Sequence, residues 1–155
     1  MKRVLIGVAV LIAAIQLIRP EKPYAEEDLK KNIRAFVKMD DTIYKTLIRS
    51  CGDCHSNTTK WPWYSEIAPF SWVVTGDVEN GRRHLNFSEW GNYAPKKMGK
   101  KLYQIAEVMA DSSMPLKSYV LMHKEAKLSS EEMKMLEEWA EEEGDNFSET
   151  EEKKE

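Results

Sequence analysis

Cysteine occurs only twice in the 155 residues, at Cys51 and Cys54, which is too sparse for a disulfide-stapled framework and leaves one pair to explain. A basic excess is missing as well: 23 Lys and Arg stand against 26 Asp and Glu, a net charge of -3, which argues against a nucleic-acid-binding chain. Seven glycines and six prolines are too few for collagen-like or low-complexity sequence, and 42% hydrophobic residues exclude full disorder. No segment alternates apolar and polar residues as a half-buried strand does, and no internal repeat appears. What remains is one compact, all-α domain, because the chain is too short for two independent cores.

Acidic residues are absent from residues 1–20, which hold Lys2, Arg3 and Arg19, so the remainder carries 20 bases against all 26 acids. Behind Lys2 and Arg3, Val4 to Ile18 form an apolar run broken only by Gly7 and Gln16. Its length lies between a secretory hydrophobic region and a full span, which takes roughly 20 residues to cross about 30 Å of hydrocarbon. No small-x-small cleavage site follows: Arg19-Pro20 comes directly, and Pro23-Tyr24-Ala25 has proline where a small residue is wanted. Residues 1–19 therefore read as an uncleaved membrane-anchor helix, with a cleaved signal peptide as the alternative. The two leading cations keep that end in the cytoplasm and send the rest across the membrane.

Residues 20–39 read as a linker with a polar helix over Glu26 to Met39, and residues 40–143 as the domain proper. Asp40 or Asp41 caps a helix whose apolar residues Ile43, Tyr44, Leu47 and Ile48 share one face and which runs into Cys51. Pro69 opens a helix near Phe70 to Arg82, and Pro95 opens another with Met98, Leu102, Ile105, Ala106 and Met109 on one face. Ser129-Ser130-Glu131-Glu132 is a capping box ahead of Met133, Leu136, Trp139 and Ala140. From Gly144 to residue 155 the chain is acidic and polar, and the expectation is a disordered tail.

The chemistry centres on Cys51-Gly52-Asp53-Cys54-His55. Two thiols three positions apart suit addition to the two vinyl groups of one haem, and the next residue supplies an imidazole as proximal iron ligand. Shuffling the chain's own two cysteines and three histidines produces this string only about once in 4,000 arrangements, and it is a known attachment signature. A preceding export signal strengthens the reading, since bacteria attach covalent haem outside the cytoplasmic membrane. The rivals fare worse. A redox-active dithiol wants the pair at a helix start after a strand, whereas a helix precedes it here. A structural zinc site wants a second ligand pair, and His84 and His123 stand thirty-nine residues apart. A plain disulfide closes a tight ring and leaves His55 unexplained.

Three blocks carry a family resemblance: Cys51 to Tyr64 (CGDCHSNTTKWPWY), Leu85 to Trp90 (LNFSEW), and Met114 to Tyr119 (MPLKSY) with His123, Ala126, Leu128 and Ser129. Over roughly Asp40 to Glu142 the chain resembles the single-haem haem-binding domain family of exported bacterial proteins, and more broadly it is similar to small class I c-type cytochromes. The resemblance implies one covalent haem c per chain, with its iron, and a small cytochrome-c-like helical fold around it.

Met114 is the leading candidate for the sixth iron position. It lies 59 residues after His55 on a non-helical Ser-Ser-Met-Pro stretch, and Met-Pro is a recurring setting for the axial thioether in the cytochromes this chain resembles. Met122 and His123 are alternatives. Met98 and Met109 fall on a helix face and read as core. Trp61, Trp63, Tyr64, Phe70 and Trp72 are expected to wall the porphyrin, with Trp90 and Tyr119 as further pocket packing. Arg82, Arg83 and His84 are candidate propionate partners, with a solvated helix end as the plainer reading.

The functional expectation is an exported, membrane-tethered mono-haem cytochrome, not an enzyme, that transfers electrons to redox partner proteins of the cell envelope. It would sit in the bacterial periplasm, held at the inner membrane by its N-terminal helix, with no nucleic-acid partner. The competing class is a haem-based sensor or peroxidase-like enzyme with an open distal site, which no His-Arg pair at recognisable spacing supports.

Overall fold

The computed structural model describes residues 1–152, and among these it is all-helical. Six α-helices follow in order: α1 (Lys2–Ile15), α2 (Asp41–His55), α3 (Phe70–His84), α4 (Pro95–Ala110), α5 (Lys117–Met122) and α6 (Ser130–Glu152), with short 3₁₀ turns between them.

The starts of the helices are written in their caps. Asp40 Oδ1 accepts the Ile43 N–H at 2.8 Å and opens α2. Pro95 stands in the first turn of α4, where its missing N–H costs nothing. At α6 the Glu132 N–H donates to Ser129 Oγ at 3.1 Å while the Ser129 N–H donates to Glu132 Oε2 at 2.9 Å, the reciprocal pair anticipated from the sequence. The expected apolar faces are the buried ones: Leu47 on α2, Met98, Leu102, Ile105, Ala106 and Met109 on α4, and Leu136, Trp139 and Ala140 on α6. α4 and α6 pack most extensively, and Arg49 ties α2 to α6 and the segment before it by donating to Glu132 Oε1 at 2.6 Å and to the Lys127 carbonyl at 3.2 Å.

Three expectations are corrected. The membrane-spanning anchor is not supported: fourteen helical residues reach about 21 Å, and no described helix is long and apolar enough to cross a membrane. Past Ile15 the Gln16 side chain turns to the domain, where it holds the Ala68 carbonyl and N–H, each at 3.0 Å. The polar helix over Glu26 to Met39 is absent, and only a 3₁₀ turn, Ile33–Ala35, forms there. Tertiary partners replace a helical ladder, since the Lys31 carbonyl accepts the Gly91 N–H at 2.9 Å, the Glu26 carbonyl accepts from Asn57 Nδ2 at 2.9 Å, and Ile33 and Val37 are buried.

The third correction concerns the tail, which is not disordered from Gly144. α6 runs through it to Glu152 because the buried stripe of Leu136, Trp139 and Ala140 continues to Glu143 and then Phe147, which packs against the core. Glu143 Oε2 accepts the Lys38 N–H at 3.3 Å, and Tyr103 donates to Asp145 at 2.6 Å. Residues 153–155 of the expected tail lie outside the described residues. Phe147→Ala is expected to lower unfolding free energy by about 2 kcal/mol, below the ~3–5 of a fully buried phenylalanine. The shift is read as a lower urea midpoint at unchanged slope; an unchanged midpoint would mean the segment carries no packing energy.

Candidate functional site

The last turn of α2 presents Cys51, Cys54 and His55 to a cavity of about 800 Å³, part of it open to solvent. α3 supplies the facing wall with Asp77, Asn80, Gly81 and His84, a stripe at spacings of three, one and three. Met114, Pro115 and Leu116, from the connection between α4 and α5, close another side, and Tyr119 of α5 completes it. The structure thus brings Cys51, Cys54, His55 and Met114, distant in sequence, onto one space.

Close approach of α3 to α2 depends on Gly81. A Cβ there would stand 2.4 Å from the Cys54 carbonyl oxygen and 3.0 Å from Cys54 Cβ, so only glycine fits. The same contact fixes the imidazole. His55 Nδ1 lies 3.1 Å from the Gly81 carbonyl and 3.0 Å from the Leu85 carbonyl. Both partners are acceptors, so Nδ1 carries the proton, and Nε2 keeps its lone pair and has no hydrogen-bond partner. Burial pulls the imidazole pKa below its ordinary value, which favours the neutral, ligating form.

Both cysteines are unpaired thiols. Burial, and then the neighbouring Cys54, pushes Cys51 up to about 12. Burial, then Asp77 and Asp53, pushes Cys54 up to about 11. The pair also sits at the negative end of the α2 dipole, the reverse of the helix start that activates a redox dithiol. A free thiolate is disfavoured here, whereas a thioether carries no charge and pays no such penalty, and no three His, Cys, Asp or Glu side chains gather as a metal site among the described residues.

Asp53, inside the motif, ties the surroundings together: Oδ1 accepts the Lys60 N–H at 3.0 Å and Oδ2 accepts the Tyr119 hydroxyl at 2.6 Å. Burial and this carboxylate hold the Tyr119 phenol well above its ordinary pKa. The Met114 connection is shaped by an Asx turn, in which Asp111 Oδ1 accepts the Ser113 N–H at 2.8 Å, and by Ser112 at φ 55°.

Several candidates fall elsewhere. Met122 is exposed, and neither it nor His123 lines the cavity; His123 stacks on Tyr119 with ring centroids 4.2 Å apart. The aromatic stretch does not wall the cavity either: Trp63, Phe70 and Trp72 are exposed, and the Trp61 ring lies under Lys22 at 5.0 Å. Trp90 is in the main core. Arg82 spends its guanidinium on the Ser56 and Pro23 carbonyls and Thr59 Oγ1, at 2.9, 2.8 and 3.0 Å, and with Arg83 stays off the lining, which only His84 of that trio reaches. Sequence reasoning missed Asp77, Asn80 and Gly81. Their spacing on one helix face was visible, but nothing in it named the partner surface.

The donor set fits a haem: two neutral thiols one helical turn apart, an imidazole with a free Nε2, and a thioether from a separate segment. Ser50 Oγ, buried at the cavity edge without a partner, leaves a polar atom for an occupant to satisfy. Comparison with known proteins agrees, since a family model described as a haem-binding domain matches residues 10–142. No curated protein and no solved structure matches the chain.

Two measurements probe this geometry. In the haem-free chain, alkylation of Cys54 by iodoacetamide at pH 8 should run about a hundredfold slower than for an ordinary thiol of pKa ~8.5, because a group with its pKa raised to about 11 keeps its proton until strongly alkaline pH. Fast labelling at pH 8 contradicts a buried, protonated pair. Gly81→Ala should destabilise the protein by about 1–3 kcal/mol in denaturant titration, although Gly→Ala within a helix ordinarily stabilises by roughly 0.5–1 kcal/mol. A stabilised variant would show that the α2–α3 contact has slack.

Proposed function

The chain belongs to the haem-binding domain family, and on that premise we propose that it is a mono-haem c-type cytochrome that carries electrons in the bacterial cell envelope. The observation that carries the proposal is the convergence of Met114 with Cys51, Cys54 and His55 on one cavity. Cys51 and Cys54 would hold the haem through thioether bonds to its vinyl groups, and His55 Nε2 and Met114 Sδ would hold its iron. When bound, haem supplies an iron that cycles between ferric and ferrous states. The chain's own part is to hold His55 neutral and oriented through Gly81 and Leu85, and to keep Met114 at the cavity through the Asp111–Leu116 connection. α1, which opens with Lys2 and Arg3, continues with apolar residues and buries none of them, supports attachment to the surface of the inner membrane from the periplasmic side.

A second reading, a sensor or peroxidase-like enzyme, draws on Asp77. Its carboxyl faces the cavity without a hydrogen bond, and burial raises its pKa, which suits a proton donor to a bound ligand.

Protein matured with a cytochrome c assembly system should keep its haem through acid-acetone extraction and show a haem-sized mass increment; freely extracted haem sinks the covalent assignment. Met114→Ala should retain the haem, bind carbon monoxide in the ferrous state where wild type does not, and show a lower reduction potential. Met122→Ala and His123→Ala should do neither. Wild type that binds carbon monoxide freely shifts the choice to the second reading.

A further inference from the structure

At the rim of the cavity, where the α3 stripe of Asp77, Asn80, Gly81 and His84 continues back to Val73 and Phe70, apolar side chains stand exposed at the start of α3. Trp63 is 72% exposed, and Phe70 and Val73, one turn apart on α3, are each 59% exposed; Ile67 and Trp72 border them. The ring of Tyr64 bridges Trp63 and Phe70 in edge contacts, with centroids 5.8 and 6.4 Å away. A cluster of this kind marks an interaction surface.

Its surroundings indicate the occupant. Trp72 Nε1 donates to the Ile18 carbonyl at 2.7 Å, and Gln16 clasps Ala68, so the end of α1 is fastened beside the cluster. α1 is apolar from Val4 to Ile15 and has no buried residue. The two exposed apolar surfaces are therefore continuous. Charge points the same way: residues 1–20 hold only cations, whereas the rest of the chain is acidic and would be repelled by an anionic lipid surface. Glu66, next to Ile67 in the chain, is paired with Lys22 and with Arg19. Indole rings with one polar edge favour the layer between headgroups and hydrocarbon.

We propose that Trp63, Ile67, Phe70, Trp72 and Val73 form a lipid-facing seat that, together with α1, settles the start of α3 into the interface of an anionic bilayer. The inference rests on the membrane attachment proposed above and adds an orientation to it. The cavity residues Asp77 to His84 lie four to eleven positions beyond Val73 on the same face, about 6–17 Å further along α3 at 1.5 Å per residue, so the seat borders the near end of the cavity and leaves its far end to a protein partner.

The test uses the full-length, haem-loaded protein on vesicles of phosphatidylethanolamine and phosphatidylglycerol, with Phe70→p-benzoylphenylalanine, Val73→p-benzoylphenylalanine and, as a control on exposed α4 surface, Gln104→p-benzoylphenylalanine. Flotation reports attachment, and irradiation of the floated fraction reports the seat. Lipid adducts at positions 70 and 73, on the order of tenfold above position 104, are expected for side chains held in the interface. Flotation without lipid adducts at 70 and 73 means α1 attaches alone and overturns the seat while sparing the attachment. Adducts to a second copy of the chain overturn it in favour of a dimer face. Failure to float overturns both, and the haem absorbance of the same samples shows that each variant is folded.

Discussion

The close contact between the last turn of α2 and the last turn of α3 is the constraint on which the site depends. Gly81 lets the two backbones meet, and its carbonyl does two jobs there: it accepts from His55 Nδ1 at 3.1 Å and from the Leu85 N–H at 2.8 Å as α3 ends. Because α3 stops at that point, the Leu85 carbonyl also reaches the imidazole, and the buried Phe87 lies against it with ring centroids 6.0 Å apart. Arg82, next to Gly81, then binds the Ser56 carbonyl, so the chain leaving the motif is held by the helix that orients its histidine. Widening this contact by one methyl would disturb the imidazole, the end of α3 and the exit from the motif together.

Electrostatics follow from the same closeness. Burial holds both thiols protonated and the imidazole uncharged, so the cavity offers neutral donors on an acidic protein. Neutral donors of this kind suit haem attachment and iron ligation in the proposed cytochrome and do not suit thiolate redox chemistry.

The far side of the cavity is held by polar contacts more than by core packing. α5 is six residues long and buries none of them, yet Tyr119 anchors it to the attachment motif through Asp53. α5 is thus tied to α2 by this hydrogen bond, while Met114 is partly packed on the main core. Met114 is constrained in position but adjoins a helix that buries none of its residues, where local opening costs least.

Much of this was legible from local pattern. The caps at Asp40, Pro95 and Ser129, the apolar faces of α2, α4 and α6, and the five-residue attachment string each depend on neighbours within about two helical turns. Composition misled where it outweighed periodicity: acidic residues after Gly144 concealed the stripe that carries Phe147 into the core, and polar residues after Glu26 suggested a helix whose backbone groups are in fact bonded to Asn57 and Gly91. Aromatic residues close to His55 in sequence suggested a cavity wall, but the chain turns them outward. Only the tertiary structure decided that Asp77, Asn80 and Gly81 face the thiols and that Met114, of eight methionines, shares their cavity. Sequence alone determined the capped, amphipathic helices and the Cys-Gly-Asp-Cys-His string because those depend on short-range spacing; the partners across the cavity were set by where α3 and the Met114 connection dock, which is a property of the packed core as a whole.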